Sequence, residues 1–243
     1  MNCKMCLKKL PCVIKNLLNK TRDKFSFLGL FGLRLYLAPI MIAAGLTKLN
    51  SFDNTAMWFG NADWGLGLPF PEVMTALVIA AELGGGLALL VGFMTRLVAI
   101  PLMVTMLVAA FSVHWDNGWF AIAPSSPATS MAAPLADVGF PGAAESLENS
   151  KEVGQRLTAA KGLLKKHGNY SWLTEKGTFV VLNNGIEFAA TYFLMLLILF
   201  FYGAGQYLSV DYWLCRCCKK RCDDKAACAT DAACSTTKTN CCG

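Results

Sequence analysis

The sequence predicts an all-α membrane protein, a polytopic four-helix bundle with a long external loop that contains an amphipathic helix. Of its 243 residues, 55% are hydrophobic and only 16% are charged, and the mean hydropathy is +0.44. Soluble domains carry about 25% charged residues. A helix needs about 20 apolar residues to cross a bilayer. Four windows meet this requirement, at about 26–46, 73–94, 97–115 and 179–203, and such long runs argue against core helices of a soluble domain.

Positive charges flank the first and last windows. Loops rich in Lys and Arg stay in the cytoplasm, so both termini are expected there, in a multi-pass protein. The net charge of +6 therefore indicates orientation and contact with the lipid bilayer, and no nucleic-acid partner is expected. The cations concerned are Lys4, Lys8, Lys9, Lys15, Lys20, Arg22 and Lys24 before the first window, and Arg216, Lys219, Lys220, Arg221 and Lys225 after the last.

The chain divides by composition into a basic N-terminal segment with cysteines (1–25), a transmembrane domain (26–213) and a cysteine-rich cytoplasmic tail (214–243). The external loop covers 116–178. It begins with "APSSPATSMAAP", a composition expected not to bury a core. Apolar residues then recur at helical spacing over 143–166, which predicts an amphipathic helix. This helix would lie on the membrane surface or cap the bundle, and an ordinary solvated surface helix is the alternative.

Three ionisable residues fall inside the apolar windows: Arg34, Glu82 and Glu187. A charge at mid-membrane costs about 2.5 kcal/mol or more, so such residues face partners or water. A rise of about 1.5 Å per residue places Arg34 and Glu82 at similar depths, which predicts an ion pair between them.

His114 follows at the outer end of the third window, in "HWDNGWF". Histidine titrates near neutral pH and can carry protons. A proton path from His114 through Glu187 to Glu82 is therefore one interpretation. The other is structural: Arg34 and Glu82 neutralise each other, and His114 is an interfacial residue bonded to a carbonyl.

Several stretches resemble the DoxX family of small four-helix membrane proteins. They are an Arg in the first window, the run E-L-x-G-G-x-x-L-L-x-G-x-x-T-R beginning at Glu82, "HWDNGWF", and a late turn with Gly203, Gly205, Ser209 and Asp211. The resemblance implies an inner-membrane location and, for some members, quinone-linked oxidation of sulfur compounds. The inserted loop also resembles that of DoxX-type proteins linked to copper-binding modified peptides.

Eleven cysteines lie in the two segments expected in the cytoplasm. Thiols there stay reduced, so free thiols are expected rather than a disulfide framework. Closely spaced thiolates suit Cu(I) or Zn(II). The predicted ligands are Cys215, Cys217, Cys218 and Cys222, and acylation or the absence of any role remain alternatives.

The leading functional hypothesis is a redox-associated membrane protein that moves electrons or protons between a thiol, sulfur or metal-bound substrate and quinone. Glu82 and Glu187 would accept protons, Arg34 would be the charge partner and His114 the outer relay. The sequence shows no flavin, haem or nucleotide motif, so whether the protein is an enzyme stays open. The alternatives are a non-enzymatic accessory protein for copper handling and a structural partner of other membrane or peptide-pathway subunits. A homodimer is also open.

Overall fold

The computed structural model describes the backbone of residues 3–140 and 142–218, and side chains from residue 25 onward except at 129. This part of the chain is helical and has no named strand; one isolated antiparallel bridge joins Ile122 and Leu182. The helices are α1 (Cys3–Asn50), α2 (Phe52–Gly60), α3 (Pro71–Val91), α4 (Thr95–Val113), α5 (Ala132–Asp137), α6 (Ala143–His167), α7 (Tyr170–Leu173), α8 (Glu187–Tyr202) and α9 (210–218).

Three helical segments in the described chain are long and apolar enough to cross a membrane: Phe25–Asn50 within α1, α3 and α4. Large apolar side chains on them face outward, including Leu77, which is 58% exposed, and Leu97, which is 56% exposed. A lipid environment explains such exposure, since hydrocarbon solvates these side chains as well as a protein core does. The membrane class is confirmed, and the first three predicted windows form helices long and apolar enough to be spans; their crossing of the membrane stays a prediction.

The fourth predicted window differs from the structure at its start. α8 begins at Glu187 rather than at 179, and its 16 residues extend about 24 Å, less than the roughly 30 Å hydrocarbon core. The preceding residues 181–187 run beside 118–123 instead, with Ala123 N–H donating to Val181 O at 3.0 Å and Glu187 N–H to Trp119 O at 2.9 Å. A fourth membrane pass by α8 stays a prediction.

The chain divides into two compact units, the first of which comprises the residues up to Thr105 and those from Leu194 onward. In this unit α3 packs against α1 through small residues. A Cβ added at Gly86 would lie 2.8 Å from Ile42 Cγ1, so only glycine allows the helices to approach this closely. Gly85 meets Leu102 of α4 in the same way, at 3.0 Å.

The second unit, Met106–Phe193, contains the inserted loop and α6. The expectation that the Pro/Ser/Ala-rich stretch buries no core is wrong: Ala123, Ser130 and Ala132 are buried. Small side chains let this segment approach α6 closely, since a Cβ at Gly154 would lie only 2.5 Å from Ser125 O. The helix predicted over 143–166 forms as α6.

Candidate functional site

A buried ion pair links α1 to α3. Lys48 Nζ lies 2.6 Å from Glu82 Oε2, and the two side chains are 28% and 5% exposed. Glu82 lies in a π-helical turn, Ala80–Gly84, that interrupts α3. Such turns often occur at functional sites because they change the direction in which a helix presents its side chains.

Arg34 is not the partner of Glu82, so the predicted ion pair between them is wrong. Arg34 is almost fully buried and donates to three backbone carbonyls: Nε to Leu89 O at 3.0 Å, Nη1 to Ala204 O at 2.7 Å and Nη2 to Leu208 O at 2.7 Å. These carbonyls lie at or after helix ends, where carbonyls have no partner within the helix. The guanidinium is planar and carries several N–H donors, so it can join all three segments at once.

A second contact fixes the same end of the first unit. The Asp211 carboxylate accepts the backbone N–H groups of Met94 at 2.6 Å and Thr95 at 3.0 Å, at the start of α4. A negative charge is stabilising at a helix N-terminus. Gly92, with φ +70°, lies against Arg34 and Ser209 with no room for a side chain. Of the glycines in these two motifs, Gly92 packs against Arg34, whereas Gly203 lies against Arg96 and Gly205 against Leu30. Asp211 caps the start of α4.

An apolar groove of about 470 Å³ lies in the first unit, in the region of the Lys48–Glu82 pair. Its lining includes Leu49 and Leu83, which directly follow the two paired residues in sequence. The full lining is Leu49, Phe52, Ala76, Ile79, Ala80, Leu83, Gly84 and Leu87. Lys48 and Glu82 form a partly buried pair and do not line the groove themselves, but each directly precedes a residue that does.

The three consecutive glycines of α3 have different surroundings. Gly85 and Gly86 permit close helix packing, whereas a Cβ at Gly84 would meet nothing within 4 Å. Gly84 lines the groove. One glycine of the triplet therefore leaves open space for a ligand, while the other two bring the helices together.

His114 and Glu187 lie in the second unit, and each has a backbone partner there. His114 Nδ1 lies 2.7 Å from Asn184 O, and Glu187 Oε2 accepts from Ala121 N–H at 3.0 Å. These bonds hold the 118–123 and 181–187 segments side by side. Such contacts fit the structural interpretation of His114, bonded to a carbonyl, while a proton-relay role stays a prediction.

The predicted metal ligands are only partly described. Cys217 and Cys218 are free and exposed, as expected, whereas Cys215 is disulfide-bonded, so the expectation of a free thiol is wrong at this position. Cys222 lies outside the described residues. Among the side chains that the structure describes, within 25–140 and 142–218, no group of three or more His, Cys, Asp or Glu is placed to hold a metal ion. A disulfide-bonded Cys215 would need reduction before it could act as a thiolate ligand.

Lys48 is the site residue that the sequence reasoning missed. The predicted first span ended at 46, so Lys48 counted as a residue outside the membrane, whereas α1 continues to Asn50. Lys side chains near a helix end extend their charge several ångströms along apolar surface. A comparison of Glu82 with every cation on α1, rather than with Arg34 alone, would have found it.

Residues 29–115 match the DoxX family model, which confirms the resemblance for this part of the chain. The chain is also 32% identical over 91 residues to inner membrane protein YqjF of Escherichia coli strain K12. That alignment covers 37% of this chain and 65% of the relative, just under two thirds of its length. No solved structure gives a significant match.

Proposed function

We propose that this membrane protein, whose residues 29–115 form a DoxX domain, binds a quinone-class carrier in its apolar groove and exchanges protons with it through Glu82 and Lys48. The observation that carries the proposal is the 2.6 Å ion pair, in which the Glu82 side chain is only 5% exposed and both residues are sequence neighbours of groove residues. Ionisable groups at membrane depth are costly and most often mark ion or substrate paths. The relative's name supports placement in a cell inner membrane.

The groove fits the chemistry of this ligand class. Its aliphatic and aromatic walls suit an apolar ring with a hydrocarbon tail, and Gly84 leaves open space in the lining. When bound, a quinone accepts two electrons and two protons, which matches the two electrons and two protons released when two thiols form a disulfide. A thiol-class donor would balance the reaction without further co-reactants.

The protein's own residues would hold and move protons. Lys48 Nζ donates to Glu82 Oε2, so the carboxylate is kept in position and partly compensated within the membrane. Each charge stabilises the ionised form of the other, so the pair would exchange protons as a unit: the Lys48 ammonium would release a proton toward a quinone oxygen as the Glu82 carboxylate accepts one from the donor side. Arg34 and Asp211 position α3 and α4 by their backbone contacts and take no part in proton exchange.

Quinone binding and turnover by the full chain in lipid nanodiscs test the proposal. A short-chain ubiquinone analogue serves as acceptor and a soluble dithiol as donor. Glu82→Gln should lower quinone reduction about 100-fold, the order expected when a general acid–base group is lost. The matched control is Glu148→Gln, which removes the exposed pair with Lys151 at 2.9 Å and should leave the rate unchanged.

A groove-filling variant separates binding from chemistry. Gly84→Leu places a side chain where a Cβ meets nothing within 4 Å, so the variant should fold normally. It should bind the quinone analogue at least about tenfold more weakly, because the leucine occupies groove surface that the ligand would otherwise bury. If wild type binds no quinone analogue, or if Gly84→Leu and Glu82→Gln behave like wild type, the proposal fails.

A second candidate, a metal-handling accessory protein, is favoured by the two adjacent free thiols of Cys217 and Cys218 at the end of α9. Thiolates prefer soft ions such as Cu(I). Under reducing conditions, Cu(I) titration against a competing chelator should show tight binding that weakens in the Cys217→Ser/Cys218→Ser variant. Equal affinity in both proteins would exclude these two thiols as ligands.

A further inference from the structure

The second half of α6 and the short helix after it are built differently from the first half of α6. We call residues 154–173 the basic arm. The buried residues of α6 are Ala143, Ser150 and Val153, all before the arm. Across 154–169, every residue of which the structure describes, none is buried. The arm therefore extends from an anchored base without covering a core.

Apart from the close approach of Gly154 to Ser125 at its base, the arm has little packing, and a weakly packed helix is poorly stable in water. Isolated helices shorter than about 12–15 residues are marginal, and most helical stability in proteins comes from packing of one face. Gly162 within the arm lowers its intrinsic helix stability further. α6 nevertheless continues to His167, so the exposed face of the arm is free to contact another surface.

The charge of the arm identifies the kind of surface. Positions 153–174 carry Arg156, Lys161, Lys165 and Lys166 and no Asp or Glu. Arg156 is paired with Glu152 at 2.6 Å. The three lysines have no described carboxylate within ion-pair distance. A cluster of lysines without acidic neighbours fits a dense array of anionic groups.

Exposed apolar side chains lie among these lysines. Leu163 is 64% exposed and Trp172 is 69% exposed. Lys165 Nζ lies 5.3 Å from the centre of the Tyr170 ring. Tryptophan and tyrosine prefer the headgroup level of bilayers, and amphipathic helices with Lys and Leu or Trp insert their apolar face there. This mixture of ring, aliphatic and ammonium groups fits phospholipid rather than a purely charged partner.

From these observations we infer that the basic arm, residues 154–173, binds the headgroup layer of an anionic phospholipid bilayer. Lys161, Lys165 and Lys166 contact lipid phosphates, while Trp172, in the short helix after α6, inserts between the headgroups. α1, α3 and α4 contain segments long and apolar enough to span a bilayer, so lipid would be available without a further partner. This inference does not depend on quinone or metal chemistry.

Hydrogen–deuterium exchange of the full chain in nanodiscs tests the inference. One set of nanodiscs contains phosphatidylcholine alone and the other contains added phosphatidylglycerol. Peptides covering 154–173 should exchange about tenfold more slowly with the anionic lipid at low salt, and about 0.5 M salt should remove the difference.

The triple variant Lys161→Gln/Lys165→Gln/Lys166→Gln should lose the lipid-dependent protection, whereas Lys151→Gln in the anchored half of α6 should keep it. Unchanged exchange of 143–153 verifies that the variants fold. Quenching of Trp172 by brominated phosphatidylglycerol, measured against Trp172→Phe, gives a second readout. Equal exchange in the two lipids, or equal protection in the triple variant, would overturn the inference; protection already present in detergent would point to an acidic protein surface instead.

Discussion

Lys48 Nζ and Glu82 Oε2 lie 2.6 Å apart and join the end of α1 to the π-helical turn of α3. The carboxylate side chain is 5% exposed, so little else compensates its charge. Arg34, the cation expected to pair with Glu82, lies 14 residues earlier on α1, about 21 Å along the helix axis. The position of Lys48 near the end of α1 therefore decides which cation reaches the acid.

Removal of Lys48 should destabilise the protein more than removal of both charges. Lys48→Met leaves Glu82 buried without its cation. We expect the free energy of unfolding to fall by about 2–4 kcal/mol, which is below the range for a fully buried pair because Lys48 is partly exposed. Lys48→Met/Glu82→Gln should recover part of the loss. Reversible unfolding of the wild type, the two single variants and the double variant in mixed micelles measures this double-mutant cycle. A double variant as unstable as Lys48→Met alone would show that the pair is uncoupled.

Gly92→Ala should destabilise the first unit strongly. The residue has φ +70°, and a methyl group would meet the guanidinium of Arg34 and lie 2.7 Å from Ser209 Cβ. We expect a loss of about 2–4 kcal/mol from backbone strain together with displacement of Arg34. The control is Gly29→Ala in α1, where a Cβ meets nothing within 4 Å; it should be neutral or slightly stabilising. Similar melting temperatures for the two variants would contradict this reading.

Arg34→Lys should destabilise the protein although it keeps the positive charge. A lysine has one ammonium and cannot donate in three fixed directions, so one or two of the carbonyls of Leu89, Ala204 and Leu208 would lose their partner. The expected loss is about 1–3 kcal/mol per unsatisfied buried group. Arg156→Lys, on the exposed face of α6, should change stability by less than about 0.5 kcal/mol, and thermal unfolding of both variants makes the comparison.

Asp211→Asn should weaken the start of α4. The native carboxylate accepts from both Met94 N–H and Thr95 N–H, whereas an amide keeps a single acceptor oxygen and no charge. The free energy of unfolding should fall by about 0.5–2 kcal/mol, the range typical for removal of a helix-capping group. Asp63→Asn in the loop after α2 is the control. Faster hydrogen exchange at 94–98 in Asp211→Asn alone would support the prediction, and unchanged exchange there would oppose it.

Thiol labelling tests the expected cytoplasmic location of the C-terminal side. Cys217 and Cys218 are free and exposed, so a membrane-impermeant maleimide should miss them in intact cells and react after permeabilisation. The Lys and Arg that follow the last span predict this side. Peptide mass spectrometry identifies the labelled positions. Labelling of either residue in intact cells would reverse the assigned orientation.

The sequence alone determined the membrane class, the first three spans and α6, because each depends on a local property. Apolar length sets a span, and apolar spacing sets an amphipathic helix, whatever the rest of the chain does. The E-L-x-G-G run also sufficed for the family resemblance, which the match over 29–115 confirms; the late turn lies outside the matched residues, and its part in the resemblance stays a prediction.

Only the tertiary structure decided the partners of the charges. The depths calculated for Arg34 and Glu82 allowed an ion pair between them. In the structure, Arg34 donates to carbonyls 55 to 174 positions away in sequence, and Lys48 pairs with Glu82. Likewise, α8 starts at Glu187 because 181–187 bond to 118–123, a pairing that no local pattern encodes. Side-chain partners depend on which faces meet after the helices pack, and small residues such as Gly86 set that approach.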